Sequence, residues 1–156
     1  MADLQPDNAP RRLTCATVVR TTADSCSVAR DGGLATVQYS VPFKPRAERV
    51  TPGQLVALAP VADDGEVVVW RWFDAVVIDQ DEGQVRLWEP AHGEVLARPR
   101  EAQRRYVPGG RAYASAGLPG AEWWVAGPVS SAGDPAVELD EVARFYTEHD
   151  LWSRLT

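Results

Sequence analysis

Residues Cys15–Ser40 read CATVVRTTADSCSVARDGGLATVQYS, and Asp74–Pro99 read DAVVIDQDEGQVRLWEPAHGEVLARP. Each stretch is a Val-rich run, a polar turn, a second alternating run, a Gly-bearing turn and a third run. That is the pattern of short strands separated by turn residues. The resemblance continues downstream. KPRAERVTPGQLVALA follows the first stretch and RPREAQRRYVPGGRAYAS the second, and aromatic segments then close both, WRWFDAVV in one case and AEWWVAGPV in the other. Val18 matches Val77, Gly33 matches Gly93, Pro45-Arg46 matches Pro99-Arg100, and Pro52-Gly53 matches Pro108-Gly109. The separations run from 54 residues (Pro45 to Pro99) to 60 (Gly33 to Gly93), so the chain reads as an internal repeat with small insertions.

Nine candidate strands follow: Leu13 to Arg20, Ser25 to Arg30, Leu34 to Val41, Leu55 to Pro60, Val67 to Asp79, Gln84 to Glu89, Glu94 to Arg98, Arg111 to Ser115 and Glu122 to Gly127. Five short antiparallel strands in a unit of about 60 residues favour closure, because closure removes the edges a flat sheet would expose. In each Pro-Gly pair, Pro sets φ for the turn and Gly takes φ > 0 before the next strand. The predicted fold is mostly β: two tandem small antiparallel β-barrels followed by one C-terminal amphipathic α-helix. The expected organisation is a tail over 1–12, a first barrel unit over 13–72, a second over 73–129, and a linker with the helix over 130–156.

The strand layout resembles small SH3-like and Tudor-like barrels, and the first unit also resembles an OB-type barrel. The Tudor-like resemblance covers roughly Val50 to Arg98. It rests on Pro52-Gly53, Val56, Ala57, Phe73, Ala75, Val77, Trp88 and Gly93. It implies an aromatic cage for a methylated side chain at Phe73, Trp88 and His92. The sequence departs from it at Leu58, Ala59 and Pro60, where a further aromatic is expected.

Helical periodicity appears only near the end of the chain. Asp134-Pro135 fits an N-cap followed by Pro at the first helical position. Leu139, Val142, Phe145, Tyr146, His149 and Trp152 then recur at three- and four-residue spacing, with Asp140, Glu141, Arg144 and Glu148 opposite. The expectation is one helix of about four turns that covers a barrel mouth or the seam between units. The alternative is a docking helix for another chain.

The 156 residues carry 16 basic and 22 acidic side chains, a net charge of -6, which argues against a surface coated for nonspecific nucleic-acid binding. The basic residues are nevertheless grouped. Lys44, Arg46 and Arg49 lie in one connection, and Arg98, Arg100, Arg104, Arg105 and Arg111 lie in the matching one. Arginine suits phosphate or carboxylate through its planar fork. The competing reading is of solvated loops paired with Glu48 and Glu101.

Among the aromatics, Trp70 and Trp72 share one strand face and Val69, Arg71 and Phe73 the other. Either they fill a core or they stack on a ring. Trp123 and Trp124 must point to opposite faces, and Trp88, with Arg86 on its face, is the aromatic expected to be exposed.

Other chemistry is sparse. Two cysteines, Cys15 and Cys26, are too few for a disulfide framework and read as thiols. Together with His92 and His149 they lack the close paired spacing of zinc ligands, so no metal site is expected. GxSxG, P-loop and GxGxxG motifs are absent and no cofactor is expected. His92 with Glu89 or Glu94 is the one pair suited to acid and base roles. No apolar run is long enough for a membrane span and Met1 to Arg12 is polar, which points to a soluble, cytoplasmic protein.

Two functions follow. The first is a non-enzymatic binding module for nucleic acid or an acidic protein segment. It would act through Arg46, Arg49, Arg98, Arg100, Arg104 and Arg105 together with Trp70, Trp72, Phe73 and Trp88. The second is a barrel binding a small apolar molecule in a pocket lined by Trp70, Trp72, Trp88 and Tyr113, extending to an enzyme that works by shaping its ligand. A subunit of a larger assembly would instead expose an apolar patch on the helix or beside Trp123 and Trp124.

Overall fold

The structure is a computed structural model that describes residues 11–30, 32–44, 50–62, 65–99, 104–115, 123–129 and 139–156. It is mostly β, a nine-stranded sheet with one C-terminal α-helix. The strands are β1 (Thr14–Thr21), β2 (Ser25–Arg30), β3 (Gly33–Tyr39), β4 (Leu55–Pro60), β5 (Glu66–Asp81), β6 (Gln84–Glu89), β7 (Gly93–Pro99), β8 (Arg111–Ser115) and β9 (Trp124–Pro128), and the helix is α1 (Leu139–Glu148). The strand order is β3-β2-β1-β4-β5-β6-β7-β9-β8, with β3–β5 and β5–β8 pairings in addition. The chain divides into two compact units, Met1–Trp70 with Leu139–Thr156, and Arg71–Glu138, so β5 contributes to both.

In the first unit, β1 alternates buried Ala16 and Val18 with exposed Thr17 and Val19, as a strand with one buried face requires. It pairs antiparallel with β2 (Val18 opposite Val28) and with β4 (Cys15 opposite Ala57). β2 pairs antiparallel with β3, and β3 runs parallel to the start of β5, with Gln38 opposite Val67 and Tyr39 opposite Val68. The β1–β2 turn is tied by the Ser25 amide, which donates to Thr22 Oγ1 at 3.1 Å. Alternation fails in β4, where Leu55 to Ala59 are all buried.

The helix belongs to this unit. It buries Val142 and Tyr146; the Tyr146 hydroxyl donates to the Val69 carbonyl at 2.7 Å, and Phe145 meets Trp70 edge-on at 5.3 Å. It ends sooner than the sequence periodicity predicts, before Trp152. Asp150 takes the left-handed conformation (φ 56), the Leu151 amide reaches back to the Tyr146 carbonyl at 2.9 Å, and the Asp150 amide reaches Thr147 at 3.2 Å. These are the two bonds that close a helix in a Schellman turn. Trp152 begins a separate 3₁₀ turn and still packs on Tyr146, ring to ring at 5.1 Å. The cap at Asp134 and Pro135 lies outside the described residues.

The second unit repeats the pairing. β5 pairs with β6 (Val77 opposite Leu87) and with β8 (Ala75 opposite Ala112), and β6 with β7 (Leu87 opposite Val95). β7 runs parallel to β9 (Pro99 opposite Val125), and β9 pairs with β8. Ala75, Val77, Val85, Leu87, Ala97, Tyr106, Ala112, Ala114 and Val125 form its core. The correspondence reaches single bonds. β1 is bulged between Val18 and Arg20, and β5 between Val77 and Asp79. The Gly53 amide donates to Val18 and the Gly109 amide to Val77, at 2.7 and 2.8 Å, with both glycines at positive φ (90 and 85).

Candidate functional site

β6 and β7 form a hairpin of the second unit whose two faces differ in chemistry. Along β6, Val85, Leu87 and Glu89 are buried while Gln84, Arg86 and Trp88 are exposed; along β7, Glu94, Leu96 and Arg98 are exposed. Register places Arg86 opposite Leu96 and Trp88 opposite Glu94, with Val76 of β5 on the other side of Trp88. Trp88 is 47% and Leu96 57% exposed, so the hairpin presents a large aromatic and an aliphatic side chain to solvent among charged neighbours.

Those charges are organised. Asp79 accepts from both Nε (3.3 Å) and Nη2 of Arg86, and Arg86 Nη1 lies 3.2 Å from Glu94 Oε1. The Arg86 guanidinium is thereby held still more firmly in its charged form, chiefly by the hydrogen bond to Asp79 and then by the charges of Asp79 and Glu94. Arg111 is gripped in the same two-pronged way by Asp74, with Nε at 3.1 Å, and is likewise raised. An open depression of about 440 Å³ lies beside Arg86, lined by Asp79, Gln80, Asp81, Gln84, Arg86 and Leu96.

Arg98, Arg104 and Arg105 of the second basic connection lie toward one end of this hairpin, whereas Arg111 lies level with Trp88 at the other. Gln80 Nε2 donates to the Arg104 carbonyl at 2.9 Å, and the Tyr106 amide donates to Gln80 Oε1 at 2.8 Å. Gln80 pairs with Val85, and Val85 with Ala97, the residue before Arg98. Arg98, Arg104 and Arg105 are therefore exposed at the same level of the sheet. Arg46, Arg49 and Arg100 lie outside the described residues, as do Glu48 and Glu101. Lys44 is exposed, 3.8 Å from Asp24.

The other three aromatic binding candidates are in the interior, while His92 is exposed and Tyr113 half-buried. Trp70, Trp72 and Phe73 are all buried, because β5 is covered on both faces from Val67 to Phe73, and a period-two reading cannot show that. His92 meets Phe73 (5.1 Å) and Trp123 (5.0 Å), both edge-on, and Trp123 lies 5.5 Å from Phe73. The Arg71 guanidinium sits over the Phe73 ring at 4.5 Å. Trp88 projects from the exposed face of β6, away from this group.

Glu89, 2% exposed, bonds His92 Nδ1 through one oxygen and accepts the Ala91 amide through the other at 2.9 Å. Of the two carboxylates considered for His92, the structure therefore brings Glu89 to it and turns Glu94 to Arg86. The inward place of Glu89 was readable from the alternation Val85, Leu87, Glu89. Among the described residues no group of three or more His, Cys, Asp and Glu is placed to hold a metal ion, and no helix is long and apolar enough to cross a membrane.

The two hairpins can be compared place for place. Val28 faces the bulged Val18 as Leu87 faces Val77. Counting from these pairs, Ser27 and Ala29 hold the places of Arg86 and Trp88, and Leu34 and Thr36 the places of Glu94 and Leu96. In comparisons with known proteins, no family model and no curated protein matches the chain.

Proposed function

We propose that each set of five strands closes into a small SH3-like or OB-like barrel and that the second is a binding module for single-stranded nucleic acid. The pairing supports closure. In each set the first strand neighbours the second and fourth, and the third runs parallel to the fifth, an order that leaves no strand with a bare edge. OB-type barrels bind oligonucleotides on the face of their second and third strands, which here are β6 and β7.

The observation that carries the reading is exposed Trp88 at the place where the first unit has Ala29. Both residues serve the same fold, so folding alone gives no reason to hold an indole in water. A solvent-facing tryptophan is a stacking platform, worth about 1 to 3 kcal/mol per base. From Trp88 to Gln84 the strand covers about 13 Å, and beyond it stand Arg98, Arg104 and Arg105 for the phosphates. The acidic remainder of the surface confines binding to this path. The small-molecule alternative has less support: Trp70 and Trp72 are core, and two open depressions among the described residues, of about 440 and 430 Å³, have no tryptophan in their lining.

The test is fluorescence anisotropy with a labelled single-stranded oligonucleotide over a range of salt. Trp88→Ala should weaken binding about tenfold, within the range expected for one stacked base. Arg104→Glu with Arg105→Glu should weaken it further and flatten the salt dependence by about 1.4, as loss of two phosphate contacts to a single strand requires. Unchanged affinity of the double variant at every salt concentration, with its circular dichroism intact, would overturn the reading.

A further inference from the structure

We infer that Arg86 is a phosphate-binding residue of the Trp88 face and that Glu94 occupies it in the unliganded protein, standing in for the phosphate. The inference rests on the nucleic-acid reading above and adds to it how that site is held in check. Asp79 takes Nε and Nη2 of Arg86 together, which fixes the plane of the guanidinium and directs Nη1 outward. Glu94 meets that third nitrogen at 3.2 Å. The two side chains are 43% and 53% exposed, and an ion pair so open to water contributes little to stability. An arriving phosphate can therefore replace the carboxylate on Nη1 while Asp79 keeps the fork oriented.

Placement supports the same conclusion. Arg86 lies two residues from Trp88 on the same face, about 7 Å along the strand, within reach of a phosphate attached to a stacked base. Glu94 lies directly opposite Trp88, so its carboxylate both repels that phosphate and competes with it for Arg86. Neither group has a counterpart in the first unit, where Ser27 and Leu34 hold their places beside Ala29.

The experiment measures oligonucleotide affinity and its salt dependence for Glu94→Gln, with Glu82→Gln, an exposed acid in the β5–β6 turn, as the control for simple loss of negative charge. Glu94→Gln should tighten binding three- to tenfold across the salt range, because the phosphate no longer has to displace a carboxylate from Arg86. Glu82→Gln should change affinity less than twofold. In an Arg86→Lys background, which keeps the charge but loses the fork, the gain from Glu94→Gln should shrink to less than twofold. Equal gains from Glu94→Gln and Glu82→Gln, or a full gain in the Arg86→Lys background, would overturn the masking role while Trp88→Ala still weakened binding. If Trp88→Ala and the Arg104, Arg105 double variant had no effect either, the nucleic-acid reading would fall and this inference with it.

Discussion

The Tyr146 hydroxyl donates to the Val69 carbonyl at 2.7 Å, joining the helix to the β5 backbone at a point where both residues are buried. The Ser40 hydroxyl lies 3.3 Å from the Tyr146 hydroxyl. Phenylalanine fills the same space but leaves a buried carbonyl with its partner removed. Tyr146→Phe should therefore lower unfolding stability by about 1 to 2 kcal/mol, read from urea titrations. A change below about 0.3 kcal/mol, the usual scatter among independent sites, would show that this bond does not anchor the helix.

Cys26 should make the protein sensitive to alkali. Burial pushes its thiol from 9.0 up to about 11, against a smaller opposing effect of the Tyr39 hydrogen bond. The folded form holds its proton more tightly than the unfolded chain does. The resulting stability is complete below pH 9 and is lost as pH rises from 9 to 11. Over that range it amounts to roughly 2 kcal/mol at most. Burial moves the Tyr146 hydroxyl in the same direction, which adds to the loss above its ordinary value of 10. Denaturant titrations between pH 8 and 11 should show this fall, and Cys26→Ala should make it shallower. Equal slopes for the two proteins would exclude Cys26 as its source.

The paired glycines should behave alike. At Gly53 and Gly109 an added Cβ meets no atom within 4 Å, so the cost of alanine is the left-handed backbone alone. Gly53→Ala and Gly109→Ala should each destabilise by about 1 to 2 kcal/mol. Gly33→Ala, at the start of β3 and not at positive φ, should be neutral within about 0.5 kcal/mol. Thermal melts of the three variants check this. A neutral Gly109→Ala beside a costly Gly53→Ala would mean that the two turns are not equivalent.

What the sequence made legible were features with a local physical signature. Val-rich runs bounded by Gly and Pro marked the strands, the Val18 and Val77 match fell on bulges of the same kind, and the spacing of Val142 and Tyr146 marked the buried side of the helix. Features that depend on register were hidden. Asp79 reaches Arg86 because the β5 bulge shifts it opposite that residue, and nothing in the spacing announces the shift. Trp70, Arg71 and Trp72 are consecutive and all buried, a pattern that only packing on both faces of a strand produces. The exposure of Trp88 was legible from Arg86 beside it; the clasp of Arg86 by Glu94 required the fold.

The helix that completes the first unit is encoded after the whole of the second. On a ribosome the residues from Arg71 onward emerge as one uninterrupted stretch and can close upon themselves. Ser40 and Val69, made earlier, must wait for Tyr146. At about 5 to 20 residues per second the delay is several seconds. For that interval the earlier unit stands without its cover, while the later one is already whole.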